Sequence, residues 1–178
     1  EDSPLSRRLS SQLFSIEQYV EMAMVYLRLD AVSTDYVFRP CDLDQILRGA
    51  VRKYAPEFIG RKLRLDYQPT HFQLTTDEKW LAFVLEQVLS NALKFTGKGY
   101  VRLEATFSSG ELCIKVQDTG AGMNDEEQKR IFDAFERLDN ARGISGFGLG
   151  LAIVSRLVSQ LGGSIGVESH PGKGSCFT

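Results

Sequence analysis

The sequence has little of what defines several large classes of protein. Its 178 residues include 3 cysteines and 2 histidines, and the formal net charge is only -2. Because Cys41, Cys113 and Cys176 are odd in number and lack the spacing of a metal site, we expect reduced thiols in a cytosolic setting. A charge so close to neutral leaves no electrostatic footprint for nucleic acid, so no nucleic-acid partner is expected.

Long apolar runs and the common nucleotide motifs are missing as well. No apolar run approaches the about 18 residues of a membrane-spanning helix, and the chain does not open with a signal-peptide pattern. The P-loop pattern GxxxxGK[ST] does not occur, and no glycine run fits the dinucleotide fingerprint. A hydrophobic fraction of 43% nevertheless fits a folded domain, so we expect a cytoplasmic globular fragment without direct membrane contact.

Residues 1–30 differ from the rest of the chain, because they carry a heptad pattern. Apolar side chains recur there at alternating steps of four and three: Leu9, Leu13, Ile16, Val20, Ala23 and Leu27. Such a seam suits a coiled coil or a four-helix bundle. We expect this helix to dimerise or to have lost its partner helix through truncation. The alternative is a helix that packs on the domain that follows.

Residues 31–178 mix helical and strand patterns. The predicted strands are 36–40, 62–68, 72–76, 100–107, 111–118, 164–170 and 174–178. The predicted helices begin at Asp42, at a capping box of Thr75 and Glu78, at a second capping box of Asn124 and Glu127, and near residue 149. This order predicts a two-layer α/β sandwich with a mixed, mostly antiparallel sheet and helices on one face. The polar, glycine-bearing stretch at about 136–147 predicts a mobile loop.

Three segments carry candidate chemistry, and the first is "EQVLSNALKFTGKG" at 86–99. Gln87, Asn91 and Lys94 stack in one row beside the apolar stripe of this helix. An Asn oxygen is a hard, neutral ligand that suits Mg²⁺, and a Lys one turn along can balance phosphate charge. The alternative is a partly exposed polar flank of the helix.

The second segment, "DTGAGM" at 118–123, follows an apolar strand. Asp118 can accept a hydrogen bond from an exocyclic amine, while Gly120 and Gly122 let the backbone approach a flat ring. The alternative is that these residues form a tight strand-to-helix turn. The third segment, "GFGLGLAI" at 146–153, leads three glycines into a helix whose free N–H groups and dipole favour a polyphosphate.

In this order and at these spacings the segments resemble the N, G1 and G2 boxes of the histidine-kinase branch of the ATPases shared with gyrase and Hsp90. "IFDAFERLD", with Phe132 and Phe135, stands where that family has its F box, and "GKGSCF" resembles its last glycine motif. The heptad helix is similar to the second helix of the dimerisation and phosphotransfer domain. "YLRLD" and "DEKWLAFVLEQVLSNALKF" resemble the intramembrane-sensing kinases that answer cell-envelope antibiotics.

The resemblance implies roles for individual residues. Asn91 would coordinate the Mg²⁺ that bridges the ATP phosphates, Lys94 would contact phosphate, and an arginine of the mobile lid, Arg142 or Arg137, would close on the γ-phosphate. Asp118 would recognise the adenine amine. The remaining residues implied to surround ATP or ADP are Phe95, Gly120, Gly122, Met123, Gly146, Gly148, Leu149 and Gly150.

Position 87 separates the branches of this family. Hydrolysing relatives place a Glu four residues before the Asn to activate water, whereas here that position holds Gln87, which cannot act as a base. Glu86 is one residue away and turned by about 100°. The resemblance therefore favours a kinase over an ATPase. Many relatives have a further Asn at this position, so a metal role for Gln87 stays open.

The phosphoryl acceptor in such kinases is a histidine on the first bundle helix. His71 and His170 have neither the helical setting nor the following acidic residue, so we expect the acceptor to lie outside this chain. The resemblance implies the catalytic fragment of a homodimeric sensor kinase in the cell membrane, which passes the phosphoryl group to an aspartate of a response regulator. A protein-serine kinase of the anti-sigma-factor type and a catalytically idle nucleotide-binding module are the alternatives.

Overall fold

The computed structural model describes residues 9, 13, 16, 19–20, 22–29, 36–108, 110–137, 146 and 148–178. The first helix, α1, is continuous through 22–28 and is helical at the earlier described positions. Its heptad residues point away from the domain, and those with exposed side chains are Leu9, Leu13, Ile16, Val20 and Leu27. The opposite face, with Met22, Val25, Tyr26 and the buried Leu29, packs on the core. One helix thus has both a docked face and an open apolar seam.

The remaining elements follow the predicted order. They are β1 (Arg39–Asp42), α2 (Leu43–Gly60), β2 (Arg64–Tyr67), β3 (Gln73–Thr76), α3 (Glu78–Phe95), β4 (Tyr100–Ser108), β5 (Glu111–Asp118), α4 (Asp125–Arg130), α5 (Gly150–Gln160), β6 (Val167–His170) and β7 (Gly174–Phe177).

The main sheet has five strands in the order β2-β4-β5-β7-β6. The β2–β4 pair is parallel, and the other three pairs are antiparallel. β1 and β3 form a separate antiparallel pair, in which Pro40 lies opposite Thr75. The predicted sandwich with a mixed, mostly antiparallel sheet is confirmed.

The core lies between this sheet and the helices α2, α3 and α5. Along β4 the buried residues Val101 and Leu103 alternate with the partly exposed Tyr100, Arg102 and Glu104, as expected of a strand with one covered face. The fully buried helical residues that meet this face include Leu47, Leu89, Leu93, Ile153 and Leu157. Each such side chain contributes about 1.5–3 kcal/mol through burial, so this layer holds α3 and α5 in fixed positions beside the sheet.

Three of the four predicted helix starts are confirmed, including that of α5, which begins at Gly150, next to the predicted residue 149. The start predicted for α3 is wrong. Asp42 caps α2, and Asn124 with Glu127 forms the predicted capping box at α4. At α3 the cap is Asp77, whose carboxylate accepts a hydrogen bond from the Trp80 N–H at 3.1 Å. Thr75 cannot serve because it is still paired in β3 with Pro40. The sequence "NDEEQKRIFDAF" also predicts that the helix beginning at Asn124 continues to residue 135, but α4 ends at Arg130 and turns follow.

Candidate functional site

Asn91 and Lys94 lie on the last two turns of α3, at its end nearest the Gly97–Gly99 turn. Asn91 is half-buried and Lys94 is exposed. Desolvation by the surrounding protein lowers the pKa of the Lys94 ammonium, and the carboxylate of Glu57 on α2 opposes that shift. A charged amine that the protein partly desolvates is well suited to pair with an anion.

Arg61 holds this end of α3 in place. Its guanidinium donates hydrogen bonds to the carbonyls of Leu93 and Thr96, the second at 3.1 Å. Leu93 belongs to the final turn of α3 and Thr96 is its C-cap residue, so neither carbonyl has a partner inside the helix. Sequence reasoning missed Arg61, because a residue 32 positions before Leu93 leaves no periodic or capping signal.

Gln87 brings α3 against the start of α5. Its side chain is buried, with 8% of the residue exposed, and it makes no hydrogen bond with the residues that the structure describes. Its Oε1 would lie 3.3 Å from a Cβ atom added at Gly150, the first residue of α5. The first and third sequence segments therefore meet, through a carboxamide that cannot act as a base.

The start of α5 has no side-chain cap. Leu149 occupies the N-cap position without a capping hydrogen bond, and the first turn contains no acidic residue. Uncapped N–H groups at the positive end of an 11-residue helix favour an anion. No atom of the other described residues lies within 4 Å of the position that a Cβ atom would take at Gly146.

Gly148 closes the base of the predicted lid. Its φ of 72° is in the left-handed region, and an added Cβ atom would lie 2.8 Å from the carbonyl carbon of Phe135. The Phe135 N–H also donates to the Gly148 carbonyl at 3.0 Å. Only Glu136, Arg137 and Gly146 of the predicted lid are among the described residues, and Arg142 lies outside them.

Asp118 is a buried carboxylate at the end of β5, with 4% of the residue exposed. Burial raises its pKa, while hydrogen bonds from the backbone N–H groups of Gly120, at 2.7 Å, and Ser175 oppose the rise. Thr96 Oγ1 lies close enough to favour the ionised carboxyl but has no hydrogen-bond partner of ordinary geometry among the described residues. A buried acceptor beside an unpartnered hydroxyl is a suitable place for a ligand amine or a water.

The glycines of the second segment have a packing role within the protein, besides the ligand contact that the sequence predicts. A Cβ atom at Gly120 would lie 2.9 Å from the carbonyl carbon of Phe95, and one at Gly122, where φ is 66°, would lie 2.7 Å from that of His170. Both glycines thus permit close packing of this loop on protein backbone. Contact with a flat ring stays a prediction for them.

Met123 and Phe95 complete this part of the site. The Met123 side chain is buried, and its N–H donates to Ser169 Oγ at 2.8 Å. Phe95 is half-buried, and its carbonyl accepts a hydrogen bond from Ala121 at 3.2 Å. The end of α3 is therefore tied to the loop after β5, as well as to α5 through Gln87.

Comparison with known proteins identifies the family. The sequence model for the histidine kinase-, DNA gyrase B- and HSP90-like ATPases matches residues 76–178, and the chain belongs to this family, in its sensor histidine kinase branch. The chain is 38% identical over 148 residues to the sensor protein GacS of Pseudomonas syringae pv. syringae, a match that covers 78% of this chain and 16% of GacS.

A second relative matches almost the whole chain. It is the sensor histidine kinase YxdK of Bacillus subtilis (strain 168), which is 28% identical over 180 residues, covering 98% of this chain and 55% of YxdK. The crystal structure of full-length ShkA in complex with AMPPNP aligns with a TM-score of 0.80 and 30% identity, covering 98% of this chain and 38% of ShkA. The chain thus spans about half or less of the length of these proteins. Within its described residues, no helix is both long and apolar enough to cross a membrane.

Proposed function

We propose that this chain binds Mg·ATP between α3 and α5 and transfers the γ-phosphoryl group to a histidine on another helix of its parent protein. One observation carries the proposal: Gln87 of α3 lies against Gly150 at the uncapped start of α5. This contact brings the row of Gln87, Asn91 and Lys94 to the helix terminus that best suits phosphates. The sensor kinases among the relatives support the same reading.

The proposed roles follow the chemistry of each group. Asn91 ligates the metal, Lys94 and the N–H groups at Leu149 and Gly150 hold the phosphates, and Asp118 accepts from the adenine amine. Phe95, Gly120, Gly122 and Met123 surround the base, while Gly146, Gly148 and the lid arginine Arg142 belong to the closure over the phosphates.

The donor set fits a magnesium ion that arrives with the nucleotide. Asn91 offers a single neutral oxygen, and no cluster of three His, Cys, Asp or Glu side chains occurs in the described part of the chain. Mg²⁺ keeps several waters and readily completes its shell with phosphate oxygens. When bound, the ion neutralises charge on the phosphates and so favours phosphoryl transfer. The chain's own residues then hold and orient the phosphates.

The acceptor is proposed to lie outside this chain. His71 precedes β3 in a loop, and His170 ends β6 with its carbonyl packed near Gly122. Neither is on a helix. We further propose that the parent is a cell-membrane protein that dimerises through the open seam of α1 and passes the phosphoryl group to a response-regulator aspartate. The family match does not favour the serine-kinase and idle-module alternatives.

The test is transfer of label from γ-labelled ATP. We expect almost no label on this chain alone, and acid-labile label on a separate polypeptide that carries an acceptor-histidine helix. Asn91→Ala should remove both this transfer and the Mg²⁺ dependence of ATP binding in calorimetry. Lys129→Ala, an exposed substitution on α4, is the control and should change neither. Equal ATP affinity with Mg²⁺ and with a chelator would contradict the role of Asn91, and label on serine would contradict the proposed acceptor.

A further inference from the structure

Gln160, the last residue of α5, contacts the chain on both sides of the connection between α1 and the domain. Its Nε2 donates a hydrogen bond to the Leu29 carbonyl at 3.3 Å, and its Oε1 accepts one from the Tyr36 hydroxyl. Leu29 directly follows α1, and Tyr36 precedes β1. A single carboxamide, with one donor and one acceptor in use, therefore joins the two ends of this connection.

Tyr36 and its neighbour are fixed from the side of α3 as well. The Tyr36 ring lies 6.2 Å from that of Trp80 between centroids. The Val37 N–H donates to the carboxylate of Asp77 at 2.8 Å, and Asp77 is the residue that caps α3. The helices α3 and α5 carry the proposed ATP site. They thus hold this connection at the ends that lie away from that site.

The last turns of α1 pack on α5 and on Phe135, which lies in the turns after α4. Leu29 is 1% exposed, and the Tyr26 ring meets the Phe135 ring edge-on at 6.2 Å. The Arg156 guanidinium of α5 lies 5.7 Å from the centre of the Tyr26 ring. Aromatic and cation–π contacts of this kind allow α1 to shift somewhat relative to α5. Two hydrogen bonds to one carboxamide, in contrast, restrict the direction in which α1 leaves the domain.

We propose that Gln160 is a positioning residue, which fixes the angle at which α1 leaves the ATP-binding unit. Its effect on the reaction rests on the proposed function, because α1 would place the partner helix and its acceptor histidine relative to the γ-phosphate. Because Gln160 is far from the proposed nucleotide position, its substitution should affect transfer and not ATP binding. A helix rises about 1.5 Å per residue, so Gln160 lies about 15 Å along α5 from Gly150. ATP affinity should therefore not depend on it.

The angle can be measured directly on this chain. Spin labels attached through Arg28→Cys on α1 and Lys115→Cys on β5, with Cys113 and Cys176 replaced by Ser, report the distance between helix and sheet. We expect one narrow distance distribution for the chain with Gln160 and a clearly broader one for Gln160→Ala. Gln160→Glu keeps the acceptor for Tyr36 but loses the donor to Leu29, so it should be intermediate. Ser159→Ala, at the neighbouring exposed position, is the control.

The kinetic test uses the acceptor-helix polypeptide supplied in trans. Because misplacement by about 1 Å can cost up to about a hundredfold, we expect Gln160→Ala and Tyr36→Phe each to lower the kcat of transfer at least fivefold. The ATP dissociation constant should stay within about twofold. The double variant should be no slower than the slower single variant, since Gln160→Ala already removes the hydrogen bond that Tyr36→Phe breaks. Unchanged melting temperatures would exclude simple unfolding.

The outcomes separate this inference from the proposed function. An unchanged distance distribution in Gln160→Ala, a faster transfer, or a loss of ATP affinity parallel to the loss of transfer would each overturn it. If the unsubstituted chain transferred no phosphoryl group at all, that result would count against the proposed function. The distance measurement would then still decide whether Gln160 fixes the angle.

Discussion

Asp118 shows how burial and hydrogen bonding act against each other on a single residue. Burial raises the pKa of its carboxyl, so the folded state binds a proton more readily than the unfolded chain. The contribution of this group to stability is then full below the ordinary aspartate pKa of about 3.9 and is lost as the pH rises through the raised folded value. Asp118→Asn should flatten this part of the dependence of the unfolding free energy on pH, measured by urea titration between about pH 4 and 7.

The same substitution should also remove the preference for adenine. An asparagine side chain presents an amide in place of a carboxylate, and a buried hydrogen bond lost to a mismatched group costs about 1–3 kcal/mol. We expect the ratio of ATP to GTP affinity to fall by at least about tenfold, as measured by competition calorimetry. A preference for ATP that survives in Asp118→Asn would show that another group recognises the base.

Gln87→Glu tests whether the lack of a base at position 87 is the reason that the site should transfer the phosphoryl group and not hydrolyse ATP. In Gln87→Glu a carboxylate would stand against Gly150, at the position where hydrolysing relatives have their base. General bases contribute about 10²–10⁴-fold, so we expect ATP hydrolysis to rise by at least about tenfold. Burial should raise the pKa of the new carboxyl, so the gain should be larger at high pH. Gln87→Asn, which adds no base, is the control, and an equal rise in both variants would contradict this account.

At the scale of the element, α3 depends on a residue that is distant in sequence. Arg61→Ala removes the donors to the Leu93 and Thr96 carbonyls and a positive charge at the negative end of the helix. We expect a loss of about 1–2 kcal/mol in the free energy of unfolding and weaker phosphate binding by Lys94 on the same turn. Arg52→Ala, an exposed substitution on α2 that removes the same charge, should change neither. Equal effects of the two variants in urea unfolding would argue against the role of Arg61.

At the scale of the whole molecule, α1 has two apolar faces with different tasks. Its docked face packs on the domain, while the seam residues Val20 and Leu27 are 58% and 72% exposed. An open heptad seam predicts pairing with another helix. Val20→Asp should therefore abolish transfer to the acceptor-helix polypeptide while leaving ATP affinity unchanged, whereas Arg28→Ala, also exposed on α1, should have no effect. Full transfer by Val20→Asp would show that α1 does not recruit the acceptor.

The sequence by itself determined the features that depend on local pattern. Strand patterns at 100–107 and 111–118 predicted β4 and β5, and the Asn124–Glu127 box predicted the start of α4, because such signals need only a few adjacent residues. The spacing of the three motif segments was enough to predict the family. The Thr75 cap failed because strand pairing with Pro40, a tertiary contact, already used that residue.

Only the tertiary structure decided which distant residues meet. Gln87 reaches Gly150, Arg61 caps the end of α3, and Gln160 joins Leu29 to Tyr36. Each pairing spans more than thirty residues, so no periodicity records it, and it exists only because the sheet and its buried leucines bring the helices side by side. The glycines at 120 and 122 show the same limit. The sequence predicted that they leave room for a ligand, and only the structure shows that they also allow close packing on the backbone of Phe95 and His170.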